Sequence, residues 1–409
     1  MDSHAKNKIV NDPVYGFINI PHGIVYDLIE HRYFQRLRYI RQLGLTGLVY
    51  PGAVHTRFQH ALGAMHLMGL AIDVLRHKGH SISDAEAEAA LVAILLHDIG
   101  HGPFSHALEF SIVPGVSHEK LSVMMMEQMN RDFDGKLELA IRLFSQQYPK
   151  KYLHQLVSSQ LDMDRLDYLN RDSFFTGVSE GVVSYDRIIK MLEIVNGELV
   201  VEAKGIYSIE KFLIARRLMY WQVYLHKTVL AAELMLVQAM KRVRHLISET
   251  NTISVPENLR YFLQRDGFDN ENELIESFAL IDDSDILVAL KQWSGSKDFV
   301  LHYLSSGLVH RRLFKVITDN KPFVPAEVER IRSITSRELG ISTAEAEYLV
   351  FTDIVSNNAY SFADDQINIL MQGRIVDITR ASDMFNHSVL SKTVTKYVLC
   401  YPKDIITAL

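Results

Sequence analysis

Apolar residues recur at intervals of three and four along most of the chain, the spacing that turns one face of an α-helix toward a core. Leu62, Met65, Leu67, Leu70 and Leu75 keep this period after His60. Glu86–Asp98 is rich in Ala and Leu and runs into His-Asp-Ile-Gly, which predicts a helix stopped at Gly100. The longest candidate is Ser208–Glu249, a run without Gly or Pro that opens on Ser208 as a candidate N-cap. Helices beyond about 25 residues are uncommon and brace a domain or cross an interface. Strand signals are few. Glu193–Ala203 carries Asn196-Gly197 between apolar runs, the strongest short hairpin signal. Tyr15–Ile20, and Ile367–Ile378 with Gly373 at its turn, predict further small hairpins. Thr, Ser, Pro and Asn cluster at Asn251–Asn258. That places a boundary between a helical core, residues 1–255, and a C-terminal accessory region, 256–409, of helices followed by short strands. The expected fold is mainly α, with small β hairpins and an α+β C-terminal region.

Composition narrows the class. The 409 residues are 48% apolar and 22% charged, values that exclude a disordered or fibrous chain. A single cysteine, Cys400, excludes a disulfide framework and a Cys-based zinc finger. The longest fully apolar stretches, such as Ala89–Leu96, fall short of the ~20 residues of a membrane span, and MDSHAKNK shows no secretory leader. The net charge of −6 argues against a general nucleic-acid coat. Arg32, Arg36, Arg38 and Arg41 form a basic run, but on a helix they spread over several faces and read as a solvated or interface surface. The expectation is a cytoplasmic protein with no membrane partner. No P-loop, GxGxxG or GxSxG signature is present, which removes the common ATPase, dinucleotide and serine-hydrolase readings.

Eighteen histidines are present, and their company gives them meaning. HDIGHGPFSH supplies His97, Asp98, His101 and His106; His97 and His101 are four apart, so one helical turn can present both to one cavity. His60 closes HTRFQH, and His118 opens SHEK behind Ser117 as a helix cap. LDMDRLDYLNRD supplies Asp162, Asp164, Asp167 and Asp172, with Asp164, Tyr168 and Asp172 on one helical stripe. A lone histidine is usually a hydrogen-bonded core or surface residue. His60, His97, Asp98 and Asp164, all at ends of predicted helices, instead read together as ligands of a metal ion. Imidazoles and carboxylates without thiolates suit a hydrolytic divalent ion such as Mn, Fe, Zn or Mg.

These segments resemble the HD-domain metal-dependent phosphohydrolases. NDPVYG, FQRLRYIRQLG, YPGAVHTRFQH, HDIGHGPFSH, SHEKLS and LDMDRLDYLNRD occur in the order seen in the SAM-and-HD-domain deoxynucleotide triphosphohydrolases, from about Val10 to Lys315. No stretch of these residues resembles the SAM domain. The resemblance implies an HD-domain helical core, metal held by His60, His97, Asp98 and Asp164, and His118 as the catalytic histidine. It places His101 and His106 in the same site and gives Arg57 and Arg165 to the triphosphate, Arg165 standing where a Lys is usual. Tyr168 falls against the sugar, Gln42 and Asp172 at the 3′-hydroxyl, and Arg216 and Tyr224 against the nucleotide, with Arg217 as the alternative to Arg216.

The implied reaction converts a deoxynucleoside triphosphate to deoxynucleoside and triphosphate. The nearest alternative is a metal-dependent nucleotidase or phosphodiesterase on the same site. A low-turnover nucleotide-binding regulator is the alternative from another class, disfavoured because a pure binder has no need of both Arg57 and His118. The resemblance further implies a regulatory nucleotide between subunits of a homo-oligomer, dimer or tetramer. Val10, Gln35, Arg38, Arg311 and Lys315 stand at matching positions. Glu30 replaces an Asp that reads guanine, and Ile9 replaces a phosphate-contacting Lys. The plainer account is that Arg38 and Arg311 form interface ion pairs.

Overall fold

The computed structural model describes residues 8–250, 253–265, 267–357, 360, 366–384 and 394–408. Its centre is the Arg57–His77 helix, which packs against the Asp84–Leu96 and Met163–Thr176 helices. Ala61, Leu62, Ala64, Met65, Leu67 and Met68 are buried along it, because neighbours cover nearly its whole circumference. By length and composition this helix would pass as a membrane span, yet it is a core element that carries Arg57 and His60. The fold is mainly α, as expected.

The Asp84–Leu96 helix starts at a reciprocal cap. Ser83 N–H donates to Glu86 Oε2 at 2.8 Å, and Glu86 N–H donates to Ser83 Oγ at 3.2 Å. Glu86 also accepts from Tyr148 Oη at 2.7 Å and Lys150 Nζ at 2.8 Å. Burial opposes its charge, but Lys150, Ser83 and Tyr148 hold the carboxyl down at about 2. Its contribution is therefore present above the ordinary carboxylate range and is lost as pH falls toward about 2. Glu86→Ala is expected to cost roughly 1–2 kcal/mol near neutral pH, read as a lower melting temperature, with the gap to wild type closing in acid.

The predicted Ser208–Glu249 helix is three pieces: Ile206–Met219, a π-helical turn at Tyr220–Tyr224, and Lys227–Thr250. The break has a visible cause. Tyr224 Oη donates to Asp172 Oδ2 at 2.7 Å, and Tyr50 Oη donates to the Gln222 carbonyl at 2.6 Å. These contacts hold a wider turn beside the site, where such turns commonly lie.

Two hairpins stand where they are expected. Leu192–Val195 pairs with Glu198–Glu202 around Asn196 and Gly197, at φ 54° and 80°, and Asn368–Met371 pairs with Arg374–Asp377 around Gly373. Tyr15–Ile20 is not a hairpin by itself: Gly16–Ile20 is one strand, paired with Lys8–Asp12. Val201 and Glu202 pair in parallel with Ile369 and Leu370, so the segment beyond 256 returns to the earlier part. A three-stranded sheet, Lys315–Asp319, Val394–Tyr401 and Phe351–Asn357, completes the C-terminal region.

Candidate active site

The site is built at the starts and ends of helices. Thr56 begins the central helix, placing Arg57 and His60 in its first turn. His97 and Asp98 follow the last residue of the Asp84–Leu96 helix. His97 and His101 therefore do not share a helical turn; residues 97–100 form an irregular turn. Gly100 is not a helix stop either. A Cβ there would meet the His118 carbonyl oxygen and the Ser122 nitrogen, each at 2.3 Å. The glycine lets the His118–Asp132 helix close onto the His97-Asp98 turn, and Ser122 ties them, accepting from Gly100 N–H at 3.0 Å and donating to the His97 carbonyl at 2.8 Å.

This turn is anchored from distant parts of the chain. Arg36 is buried and donates to the carbonyls of Ile281, Ile99 and His101 at 2.9, 3.3 and 2.7 Å. The basic run is thus not wholly a surface. Asp283 accepts from the backbone N–H groups of Arg41 at 3.0 Å and Phe104 at 2.9 Å, and burial raises its carboxyl to about 6. Phe104 is held at a left-handed φ of 45°, a strained conformation that a surrounding hydrogen-bond frame sustains.

His60, His97 and Asp164 bring ligand atoms within 4.8 Å of one another. His60 Nε2 lies 3.3 Å from His97 Nε2 and 3.1 Å from Asp164 Oδ1. Asp98 joins them, its Oδ1 at 3.2 Å from His97 Nε2 and its Oδ2 at 3.8 Å from His60 Nε2. The outer nitrogens fix the rings: His60 Nδ1 donates to Asp167 at 2.7 Å and His97 Nδ1 to the Ile94 carbonyl at 2.6 Å. Both Nε2 atoms thus face the shared centre as ligands require. This donor set, two imidazoles and two carboxylates with oriented outer nitrogens, fits a divalent metal.

Charge explains the set's poise. Burial opposes charge on His60, but Asp164 and Asp167 raise it to about 10. Burial likewise opposes ionisation of Asp98 and Asp164, yet His97 and Arg57 hold the first, and His60 and His97 the second, well below the usual carboxylate range. Asp167 is itself gripped by Arg171, at 2.9 Å through two guanidinium nitrogens, and Arg171 reaches Asp12 at 2.7 Å. A Cβ on Gly63 would collide with this pair, 2.0 Å from Asp167 Oδ1, so glycine is required one turn below His60. Asp167, Arg171 and Asp12 sit in motifs the sequence displayed, but nothing in their spacing marked them as the support of His60.

Beside the cluster of His60, His97, Asp98 and Asp164 opens a cavity of about 740 Å³. Gln42, Arg57, Asp98, His101, His118, Asp164, Arg165, Tyr168, Asp172 and Tyr224 all line it, together with Glu109 and Glu233. His101 and His118 stack with ring centres 3.9 Å apart, and burial with the Arg57 charge drives His101 well below its ordinary range. Glu109, which no sequence motif singles out, accepts from both His118 N–H at 3.0 Å and His118 Nδ1 at 2.6 Å. Arg57 donates to Asp98 and to Ser105, and Arg165 to Asp162. Asp172 accepts from His55 Nε2 at 2.8 Å as well as from Tyr224. Arg216 lies close enough to Tyr168 for its charge to act on the phenol. The His106 side chain lies outside the described residues.

The regulatory candidates divide. Val10 pairs with Ile18, Glu30 with Lys8 at 3.2 Å, and Arg38 donates to Gln35 Oε1 at 2.7 Å while lying over the Phe58 ring. Arg311 instead donates to the Leu48 carbonyl at 2.7 Å, and Lys315 begins the strand paired at Tyr401. Among the described residues no hydrogen bond or ion pair joins the two groups.

A helical core with paired histidines and aspartates at its helix ends defines a metal-binding phosphohydrolase of the HD type, and the chain belongs to that family. The HD domain model matches residues 57–172 and the HD associated region 183–262. The chain is 53% identical to a phosphohydrolase from Bacteroides thetaiotaomicron, whose crystal structure superposes with a TM-score of 0.94 over 97% of this chain and 100% of that one. It is 31% identical to the uncharacterized protein YwfO of Bacillus subtilis over 98% of this chain and 94% of the relative. The human deoxynucleoside triphosphate triphosphohydrolase SAMHD1 is 30% identical over 59% of this chain, and the match covers 46% of that protein.

Proposed function

We propose that the protein hydrolyses a deoxynucleoside triphosphate to the deoxynucleoside and inorganic triphosphate. One observation carries this reading. Arg57 Nε and Arg165 Nε, on two residues that line the cavity, are buried with no hydrogen-bond partner among the described residues, as are Nε and Nη1 of Arg216 near Tyr168. Each such group costs about 1–3 kcal/mol, more when charged. A triphosphate, with many acceptor oxygens and several negative charges, offsets that cost beside the metal cluster, and guanidinium groups suit it by geometry. Gln42 Oε1 is also buried without a partner and can accept from a sugar hydroxyl. Tyr168 and Tyr224, edge to face at 6.3 Å, form an aromatic wall for the sugar.

The chemistry follows from these positions. His60, His97, Asp98 and Asp164 would hold the divalent ion, which supplies Lewis acidity toward phosphate oxygen and water. Water adds to the α-phosphorus, the bond from that phosphorus to O5′ breaks, and the departing oxygen takes a proton. His118, oriented by Glu109, is the proton donor. The assembly reading is a homo-oligomer in which a nucleotide held by Val10, Gln35 and Arg38 of one subunit meets Arg311 and Lys315 of another. The expected result is assembly and faster turnover on adding GTP or dGTP, checked by sedimentation with parallel assays; full activity as a nucleotide-independent monomer would reject it.

The test of the reaction is a panel of dNTPs, ATP, dAMP and cyclic dinucleotides with Mn or Mg, read for triphosphate against orthophosphate. Triphosphate release from dNTPs is expected, with dATP preferred to ATP by about tenfold or more where Tyr168 meets the sugar face. Equal hydrolysis of dATP and ATP, or release of orthophosphate, would favour the general nucleotidase instead.

A further inference from the structure

The phosphate-binding reading leaves Glu233 on the cavity wall without a task. Leu230, Glu233, Leu234 and Val237 line the cavity at helical spacing, so one face of the Lys227–Thr250 helix forms its wall. Three of these side chains are apolar. The fourth is a carboxylate that, among the described residues, has no hydrogen bond or ion pair. A carboxylate on an apolar wall is costly unless a ligand supplies donors.

We propose that Glu233 reads the nucleobase of the substrate, accepting hydrogen bonds from ring N–H and exocyclic amine groups and so favouring amine-bearing bases over thymine. This deepens the triphosphohydrolase reading and rests on it. The cavity is polarised in the sense a nucleotide needs. Its cations, Arg57 and Arg165, belong with the metal cluster and suit the phosphates. Glu233 stands on the helical wall of the same cavity, where burial alone acts on it and raises it to about 8, so it carries a proton near neutral pH until the N–H donors of a base favour the carboxylate. Tyr220 and Tyr224, edge to face at 5.2 Å, line the same cavity and offer a base a flat neighbour. Guanine presents adjacent N1–H and N2–H donors that match both carboxylate oxygens, and adenine and cytosine present one amine. Thymine offers a ring N–H flanked by two carbonyl oxygens, which a carboxylate repels.

The experiment compares wild type with Glu233→Leu and Glu233→Gln, using metal-loaded protein and dGTP, dATP, dCTP and TTP. Wild type is expected to show kcat/KM at least about tenfold higher for amine-bearing substrates than for TTP, the value of a hydrogen bond to a charged acceptor. In Glu233→Leu that ratio should fall to within about threefold, with Glu233→Gln between. Equilibrium binding of dGMP, dAMP, dCMP and TMP to the same proteins reports base choice independently of turnover. If no triphosphate is released but amine-bearing monophosphates still bind tighter through Glu233, the reaction reading fails and the base reading stands. Unchanged ratios in both substitutions, no preference in wild type, or no binding of any monophosphate with no dNTP turnover would overturn it. Circular dichroism and metal content show that each variant folds, and Glu233→Gln keeps the test decisive should the leucine variant not.

Discussion

Asp164→Ala, and separately His97→Ala, is expected to bind no stoichiometric divalent metal and to lose several kcal/mol of transition-state stabilisation, roughly 10³-fold in turnover. Two imidazoles and two carboxylates are a small set, and neither Asp98 nor His60 can replace the missing donor, because Asp98 already accepts from Arg57 and His60 is locked by Asp167. Asp167→Asn tests the outer contact. It leaves every ligand in place, and loss of the charged partner should weaken metal binding by about 10–100-fold. The same contact gives metal uptake a pH dependence with a definite sign. His60 without metal keeps its proton up to about 10, and that proton must leave before Nε2 can bind an ion. Affinity should therefore rise with pH between about 6 and 8. Metal analysis of the purified variants and metal titrations at both pH values check this; full occupancy and a normal rate in Asp164→Ala and His97→Ala would remove the site assignment.

Much of this centre was legible in the sequence because its ligands lie in short motifs near helix ends, where spacing and residue type both carry information. His60, His97, Asp98 and Asp164 do converge, and Gln42, Arg57, Arg165, Tyr168, Asp172 and Tyr224 of the expected substrate contacts line the cavity. What the sequence concealed is what depends on tertiary contact. Asp283 lies far along the chain from Arg41 and Phe104, whose backbone it holds, and no local pattern connects them. Arg36 looked like one member of a surface run, while its guanidinium is spent on three buried carbonyls. The long helix misled for a similar reason. Its sequence has no breaker, and the π-helical turn arises from Tyr224 reaching Asp172 on another helix. Glu109 belongs here too: its value to His118 exists only once the Gly100 turn has folded the two helices together.

The C-terminal region consequently has a task at the site despite lying beyond the composition break. Asp283 keeps the backbone of Phe104 and Arg41 in place, and Ile281 accepts from the same Arg36 that ties the His97–His101 turn. Asp353 and Val355, on the Phe351–Asn357 strand, line the cavity. The wall of the substrate site is thus contributed by both ends of the chain.

Replacing His118 should separate chemistry from metal binding. His118→Ala is expected to retain its metal and to lose about 10²–10⁴-fold in kcat, the usual contribution of a positioned proton donor. Glu109→Ala should lower kcat less, because it releases the ring from its fixed orientation without removing it. The two effects should not add: once the ring is gone, Glu109 has no imidazole left to orient, so the double variant should match His118→Ala. A purely structural role makes a different pattern. If His118 only completed the start of the His118–Asp132 helix, His118→Gln would restore activity along with stability, and added imidazole would do nothing. Proton donation predicts the reverse, with a stable but slow His118→Gln protein and partial rescue of His118→Ala by imidazole. Rates across pH, melting temperatures and metal content of wild type, His118→Ala and His118→Gln decide between the two.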